Sequence, residues 1–281
     1  MENKNIDLYE YFNIPRNGAA AGYLTTYLRT PSLEIKAKLR PAVLVIPGGA
    51  YMMLSDREGE PVALSFMDKG YSAFLLKYTT NSAYPTPLIE ACMAMVYIRE
   101  NADKYGIDPK SVAAIGFSAG GHLAGMLATM SEEQEVKGAL GDRCCLAKPN
   151  AVILSYPVIT MEDKFTHVDT RRIISGGEAV PYDILSIEKR ITSESVPAFI
   201  WHTMEDNCVP VENSLYLASA YKKAGVPFAL HIFEKGFHGL SLCNEEVYDS
   251  SDIYKSFGHI EKWFDLALDW LKMREFFVKV K

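Results

Sequence analysis

An apolar segment that runs through a glycine-flanked serine into a second apolar segment constrains the fold of this chain most. Residues 111–117 read SVAAIGF, typical of a buried strand, and residues 119–130 read AGGHLAGMLATM, typical of a helix. Ser118 lies between them, within the sequence Gly116-Phe-Ser-Ala-Gly120. Because no flexible loop separates the two elements, the chain has to turn sharply at the serine. This arrangement is typical of a parallel sheet whose strands are followed by covering helices.

The same alternation of apolar strands and longer helices continues along the chain. Strand patterns occur at 42–47, 71–78, 151–157, 198–203 and 228–233, and residues 21–30 alternate like an edge or hairpin strand that ends at Pro31. Helix patterns occur at 88–106 after Pro87, at 211–225 and, with an amphipathic pattern, at 250–276. We predict one α/β domain over residues 1–281, with a short, less periodic insertion at about 158–195 near the site.

The charge balance and composition exclude several classes of function. The chain has 281 residues and 29 Lys+Arg against 35 Asp+Glu, a net charge of −6. Nucleic-acid binding needs a basic surplus, so no nucleic-acid partner is expected. No apolar stretch of about 18 residues is present, and the N-terminus lacks the apolar core of a secretory signal. The lack of such a stretch predicts no membrane partner. Five cysteines without metal-ligand spacing indicate reduced thiols in the cytoplasm and no metal site.

The Gly-x-Ser-x-Gly pattern indicates a nucleophilic serine on a strand-to-helix turn. At such a turn the positions two before and two after the serine lie against each other, and Gly116 and Gly120 leave that space free. The helix that follows directs its first amides toward the serine, which favours developing negative charge. Ser118 is therefore the predicted nucleophile, and a simple tight turn capped by serine is the alternative.

A nucleophilic serine needs a base, and the base needs an acid that orients it. His238 lies in a glycine-flanked loop just after the strand at 228–233 and is the predicted base. Asp206 follows the strand at 198–203 and is the predicted acid, with Glu205 as the alternative. Of the remaining histidines, His202 and His231 lie inside strands and fit a packed or edge position better. His122 lies on the helix after Ser118, where helical spacing points it away from the hydroxyl. His167 lies in the irregular segment and His259 on the C-terminal helix.

An oxyanion needs amide donors, and the sequence offers two sources. Ala119 directly follows the serine, and the loop Pro47-Gly48-Gly49-Ala50 follows the strand at 42–47. We predict that the amides of Gly49, Ala50 and Ala119 bind the oxyanion, with Gly48 less suited.

Aromatic side chains near these loops could bind the substrate, because sugar rings stack on aromatic faces. Tyr51 and Phe237 are the predicted substrate-binding residues. Tyr84 and Trp201 also lie near strand ends or site loops. Core packing is the alternative for Tyr51 and, more strongly, for Trp201.

Taken together, IPGGAY (46–51), GFSAG (116–120), ILSYPV (153–158) and EKGFHG (234–239) resemble the acetyl-xylan-esterase-like branch of α/β-hydrolases. This branch is related to the hormone-sensitive-lipase-like esterases, and the resemblance covers residues 35–275. It implies a mostly parallel eight-stranded sheet flanked by helices and ester hydrolysis without a cofactor. It also supports Ser118, Asp206 and His238 as a catalytic triad. Relatives usually carry glycine where this chain has Ala50, and true lipases have a larger cap than residues 158–195.

These features predict a serine carboxylesterase that cleaves short-chain, mainly acetyl, esters at an open site. Family analogy points to acetylated sugars or xylo-oligosaccharides as small-molecule substrates. An amidase or small peptidase of the arylformamidase kind would use the same triad and is the alternative. A non-catalytic binding protein is disfavoured because all three triad residues are present. Exposed sheet edges are also compatible with a homodimer.

Overall fold

A central β-sheet organises the chain in the computed structural model, which describes residues 2–280 except 17, 19, 31, 33, 35–37, 249 and 250. Its strands are β1 (Glu2–Asp7), β2 (Tyr23–Leu28), β3 (Lys38–Ile46), β4 (Ser72–Lys77), β5 (Ile107–Phe117), β6 (Ala151–Ser155), β7 (Ala198–Thr203), β8 (Phe228–Phe233) and β9 (Lys279–Val280). Pro31, where the predicted strand at 21–30 ends, and position 250, where the predicted C-terminal helix begins, lie outside the described residues.

The strands run in the order β1-β2-β4-β3-β5-β6-β7-β8, with the short β9 paired to β3. All pairs from β4 through β3 and β5 to β8 are parallel. The pairs β1–β2, β2–β4 and β3–β9 are antiparallel. The carboxyl ends of β3, β5, β6, β7 and β8 therefore meet at one edge of the sheet, where ligands bind in folds of this kind.

Helices cover both faces of the sheet. They are α1 (Leu8–Phe12), α2 (Glu60–Asp68), α3 (Thr86–Glu100), α4 (Ala102–Tyr105), α5 (Ala119–Met130), α6 (Gln134–Leu140), α7 (Val168–Ile174), α8 (Tyr182–Leu185), α9 (Glu212–Ala224), α10 (Ser251–Phe257) and α11 (Lys262–Lys272). Among the described residues, no helix has the length and apolarity needed to cross a membrane.

Strand β3 shows how the sheet is buried from both sides. Leu44 and Ile46 belong to the core cluster that includes residues of α3, α5 and α9, whereas Val43 and Val45 belong to the cluster formed with α2 and α11. Because successive side chains point to opposite faces, a strand covered on both sides needs an unbroken apolar run. The run at 42–47 satisfies this requirement.

The predicted α/β-hydrolase architecture, a mostly parallel sheet flanked by helices, is confirmed. Strands β7 and β8 and helix α5 have the predicted bounds. The predicted helix at 88–106 is divided into α3 and α4 at Asn101, and the C-terminal helix is divided into α10 and α11. The sequence did not indicate β1, because this edge strand is rich in polar residues and gives no apolar alternation.

The irregular segment at 158–195 contains α7, α8 and a short 3-10 turn. It is anchored to the core, because Leu185 and Ile187 are buried and the Leu185 carbonyl accepts from the His122 imidazole of α5. The segment follows β6 at the carboxyl edge of the sheet, which is the edge where Ser118 lies.

Candidate active site

Ser118 occupies a strained turn between β5 and α5. Its backbone has φ 52° and ψ −119°, which L-residues rarely adopt and which usually needs support from the surroundings. The Ser118 amide donates to the Ser155 carbonyl at 3.0 Å. The Ser118 carbonyl accepts from the amides of His122 and Val158, both at 3.1 Å. The turn is thus fixed by α5, by β6 and by the segment that follows β6.

The two glycines of the serine motif are required by close backbone contacts. A Cβ atom at Gly116 would lie 2.1 Å from the Gly120 carbonyl oxygen, and one at Gly120 would lie 2.2 Å from the Ile46 carbonyl oxygen. The prediction that these positions lie against each other is confirmed. Glycine is therefore a condition for holding Ser118 in this conformation.

Three side chains from separate loops form one line of hydrogen bonds. His238 Nε2 lies 2.8 Å from Ser118 Oγ, and His238 Nδ1 lies 2.6 Å from Asp206 Oδ2. Ser118 is only 8% exposed, and Asp206 is buried. The structure therefore brings together the serine, histidine and aspartate that the sequence singled out.

The surroundings of Asp206 determine the direction of these hydrogen bonds. Burial alone would raise the pKa of the Asp206 carboxyl, but hydrogen bonds from His202, His238 and the Val209 amide hold that pKa well below its usual range. An ionised carboxylate only accepts, so the His238 Nδ1 atom carries the proton. His238 Nε2 is then an acceptor, and the Ser118 hydroxyl donates to it.

The alternative acid, Glu205, faces away from this line. Its carboxylate accepts from Lys235 Nζ at 2.8 Å and from the Gly236 amide at 3.3 Å. These hydrogen bonds lower the pKa of the exposed Glu205 carboxyl. Glu205 therefore supports the loop before His238 and does not contact the imidazole.

A second histidine contacts the same aspartate, and no pattern in the sequence indicates this contact. The buried His202 lies with Nε2 at 3.0 Å from the Val209 carbonyl and 3.3 Å from Asp206 Oδ2, and with Nδ1 at 2.7 Å from Ser214 Oγ. Both neighbours of Nε2 are acceptors, so Nε2 carries a proton. His202 thus helps to fix the position of Asp206.

His122 ties the oxyanion-side loop to the irregular segment. Its imidazole is completely buried, with Nδ1 at 2.9 Å from the Tyr51 hydroxyl and Nε2 at 2.7 Å from the Leu185 carbonyl. The carbonyl can only accept, so Nε2 donates to it and Nδ1 accepts from Tyr51. Burial lowers the pKa of the His122 imidazole to about 4 from its ordinary value of 6.5.

We expect His122 to make the fold sensitive to acid. The unfolded chain takes up a proton at higher pH than the folded chain, so stability is present above pH 6.5 and is lost as the pH falls toward 4. A shift of this size corresponds to on the order of 3 kcal/mol in the free energy of unfolding. Urea unfolding at about pH 7 and about pH 4.5 measures the loss. His122→Gln should lose less stability between the two pH values than the wild type, and equal losses would contradict this expectation.

The loop after β3 has two amides available near Ser118. The Gly48 amide donates to Glu58 Oε2 at 2.8 Å and is therefore occupied. In the described part of the chain, the amides of Gly49 and Ala50 donate to no other group. Ala119 is the first residue of α5, so its amide has no partner within the helix. Gly49, Ala50 and Ala119 thus stay the predicted oxyanion donors.

The backbone of this loop favours glycine at positions 49 and 50. Gly49 has φ +122°, and a Cβ atom there would lie 2.3 Å from the Met53 carbonyl oxygen. Ala50 has φ 57°, in the left-handed region where a side chain costs about 1–2 kcal/mol. The chain tolerates alanine at position 50 at that cost and keeps its amide.

The predicted aromatic contacts have different surroundings. The Tyr51 side chain is fully buried, packs edge-on against Tyr78 and has no exposed face on which a sugar could stack. Its placement corrects the expected substrate contact, because its hydroxyl is used by His122 inside the core. Phe237 is 40% exposed beside His238 and stays a predicted substrate contact. Trp201 is buried and stacked on Trp263, which agrees with the packing alternative.

The described residues contain no group of three or more His, Cys, Asp or Glu side chains that could hold a metal ion. All five cysteines lie in the described part of the chain and are free thiols.

The sheet, the strained serine turn and the line from Ser118 to Asp206 define an α/β-hydrolase. Solved structures agree with this class. The chain matches an acetyl ester-xyloside bifunctional hydrolase from Caldicellulosiruptor lactoaceticus with a TM-score of 0.80 and 33% identity, over 98% of this chain and 97% of that one. It matches the carboxylesterase Cest-2923 from Lactobacillus plantarum WCFS1 with a TM-score of 0.81 and 26% identity, over 98% of both chains.

The chain belongs to the BD-FAE family, whose model matches residues 30–221. It is 41% identical over 217 residues to an endo-1,4-beta-xylanase B from Butyrivibrio fibrisolvens, which covers 74% of this chain and 34% of that protein. It is 31% identical over 207 residues to an acetylxylan esterase from Xylanibacter ruminicola, which covers 70% of this chain and 40% of that protein. The chain thus matches well under half the length of each of these relatives. The resemblance to acetyl-xylan-esterase-like α/β-hydrolases is confirmed.

Proposed function

We propose that the protein is a serine carboxylesterase whose catalytic triad consists of Ser118, His238 and Asp206. The observation that carries this proposal is the hydrogen-bonded line from Ser118 Oγ through His238 to an ionised Asp206. A serine becomes a competent nucleophile when a neighbouring imidazole accepts its proton. Relatives with esterase names support the same activity.

The reaction follows from the protonation states at the site. Ser118 Oγ attacks the ester carbonyl carbon while its proton moves to His238 Nε2, and Asp206 stabilises the resulting imidazolium. The new oxyanion accepts hydrogen bonds from the loop after β3 and from the amide of Ala119. When the ester C–O bond breaks, His238 returns the proton to the departing alcohol. Water then attacks the acyl-enzyme with His238 again as the base, which releases the acid.

The proposed substrates are short-chain esters, above all acetyl esters of sugars or xylo-oligosaccharides. Ser118 retains a small exposed surface, and two exposed apolar side chains are close to it in the chain order of the site loops: Met53 after the loop that follows β3, and Phe237 directly before His238. These could contact one face of a sugar-sized alcohol. The irregular segment is short, which favours small acyl groups over long ones. Relatives named as an acetylxylan esterase and an acetyl ester-xyloside hydrolase support the acetylated carbohydrate as the class to test.

The acyl-chain preference is tested with p-nitrophenyl acetate, butyrate and octanoate. We expect kcat/KM to be highest for the acetate and to fall with chain length, because the short segment at 158–195 offers little cover for a long acyl chain. Ser118→Ala is the control for non-enzymatic hydrolysis. A maximum at octanoate would contradict the short-chain proposal, and acetylated xylo-oligosaccharides would then be poor candidates.

An amide panel separates the esterase from an amidase. Matched acetyl esters and acetyl amides of the same aromatic leaving group are compared under the same conditions. Turnover of the amide above that of the ester would favour an amidase or small peptidase with the same triad. Absence of Ser118-dependent turnover on both panels would contradict a hydrolase.

A further inference from the structure

A buried carboxylate that the proposed reaction does not use lies behind the serine. Glu58 ends the short 3-10 turn Asp56–Glu58 and is only 3% exposed. Carboxylates are almost never fully buried unless their oxygens are hydrogen-bonded. The burial of Glu58 beside the site therefore implies specific hydrogen-bond partners.

Both Glu58 oxygens bind groups that belong to site loops. Oε2 accepts from the Gly48 amide at 2.8 Å, and Oε1 accepts from the Tyr156 hydroxyl at 2.7 Å. A Cβ atom built on Gly48 would lie 2.8 Å from Glu58 Oε2 and 3.0 Å from Ser118 Cβ. The carboxylate and the serine side chain thus flank Gly48, and no side chain fits between them.

Tyr156 extends the contact from Glu58 to the loop that contains His238. Its hydroxyl accepts from the Ser241 amide at 2.8 Å, and its ring packs edge-on against the His238 imidazole with a centroid distance of 5.1 Å. The Ser241 hydroxyl also donates to the Arg57 carbonyl, next to Glu58. One carboxylate therefore links the loop after β3, the end of β6 and the loop after β8.

The linked backbone is unusually strained. Ala50, Tyr156 and Ser241 have φ values of 57°, 36° and 51°, which non-glycine residues rarely adopt. Such conformations persist only when surrounding contacts hold them. Glu58 holds Tyr156 directly, holds Ser241 through Tyr156, and fixes Gly48 two residues before Ala50.

Opposing effects act on the charge of this group. Burial raises the pKa of the Glu58 carboxyl, whereas hydrogen bonds from Tyr156 and Gly48 and the nearby His238 oppose that rise. Protonation would turn one of its oxygens into a donor and weaken that oxygen as an acceptor for Gly48 or Tyr156.

We propose that Glu58 is a positioning residue that holds the oxyanion-binding loop in register with the His238 loop. It acts through Gly48 and Tyr156 and does not touch the substrate. By occupying the Gly48 amide it leaves the Gly49 and Ala50 amides as the donors of that loop. This inference rests on the proposed esterase function and assigns to Glu58 the pre-organisation on which oxyanion binding depends.

The chain contains a matched control in Glu90 of α3. Glu90 is also fully buried, and it accepts from a tyrosine hydroxyl, that of Tyr9, at 2.8 Å and from a backbone amide, that of Thr79, at 2.6 Å. Burial raises the pKa of the Glu90 carboxyl as well. Its partners belong to α1 and to the segment after β4, so changing it removes a similar buried group outside the proposed machinery.

The experiment compares Glu58→Ala, Glu58→Gln, Glu90→Ala and Glu90→Gln. For each variant kcat and KM are measured on p-nitrophenyl acetate, together with the inhibition constant of an aryl boronic acid that forms a tetrahedral adduct with Ser118. Loss of one oxyanion donor typically lowers kcat by about 10²–10³. We expect Glu58→Ala to lower kcat by a similar factor and to change KM little. The inhibition constant of the boronic acid should rise in parallel with the loss of kcat. Glu58→Gln retains an acceptor for Gly48 and should recover part of both losses.

The Glu90 variants should lose stability in urea while keeping kcat and boronic-acid affinity. Equal kcat losses in the Glu58 and Glu90 variants would show that Glu58 has only a general structural role, which would overturn the inference. Unchanged kcat in Glu58→Gln and Glu58→Ala would also overturn it. If Glu58→Ala does not fold, the kcat of Glu58→Gln tests the proposal by itself, and an unchanged kcat would overturn it. Absence of Ser118-dependent turnover in the wild type would instead overturn the proposed esterase function, and with it this inference.

Discussion

Ser118→Ala is expected to lower kcat on p-nitrophenyl acetate by roughly six orders of magnitude, as does loss of the serine in a well-studied serine protease. The substitution removes the only atom that the structure places within hydrogen-bond distance of His238 Nε2 among the described residues. The fold should remain, because the Ser118 backbone keeps its hydrogen bonds to Ser155, His122 and Val158. Turnover and urea unfolding of the purified variant measure the two effects separately.

Ser131 offers a matched control for this prediction. It is also a buried serine, and it lies at the opposite end of α5 from Ser118. Ser131→Ala should keep the turnover of the wild type. Activity that survives in Ser118→Ala, or that is lost equally in Ser131→Ala, would contradict the role proposed for Ser118.

Asp206→Asn is expected to lower kcat by about four orders of magnitude, as the equivalent change does in a serine protease. The asparagine amide can donate to His238 Nδ1, which would move the imidazole proton to Nε2 and block proton acceptance from Ser118. The buried position keeps the geometry similar, because the amides of Cys208 and Val209 still have an oxygen to bind. Steady-state kinetics on the acetate ester measures the loss.

Glu205→Gln is the natural control for Asp206→Asn, because the two acidic residues are adjacent in the chain. Glu205 binds Lys235 and Gly236, so Glu205→Gln should change kcat only slightly. The reverse pattern, with activity kept in Asp206→Asn and lost in Glu205→Gln, would assign the acid to Glu205.

The sequence predicts the site residues that directly follow a clearly recognisable strand. Ser118 lies in a motif that fixes its own turn, and Asp206 and His238 each follow a strand whose apolar run is clear. Since the carboxyl ends of parallel strands meet at one edge of a sheet, the order of strands and loops along the chain is enough to predict that these three residues lie close together.

Residues whose roles depend on distant contacts could not be predicted in the same way. Glu58 lies in a polar stretch without periodicity, and the role proposed for it depends on Gly48 and Tyr156, the second of which is 98 residues away. Tyr51 follows the predicted oxyanion loop directly, but tertiary packing turns its side chain into the core. The contact of His202 with Asp206 requires the chain at 203–209 to fold back, which no spacing rule indicates.

The anchoring of the irregular segment has a consequence for how substrate molecules come and go. The Leu185 carbonyl is bound to His122 directly beneath the serine turn, and Leu185 and Ile187 are buried in the core. A segment fixed in this way cannot move away from the serine turn without breaking contacts inside the protein. We therefore expect exchange of ester and alcohol to proceed without a gating movement. Opening of this segment would then not be the step that limits turnover.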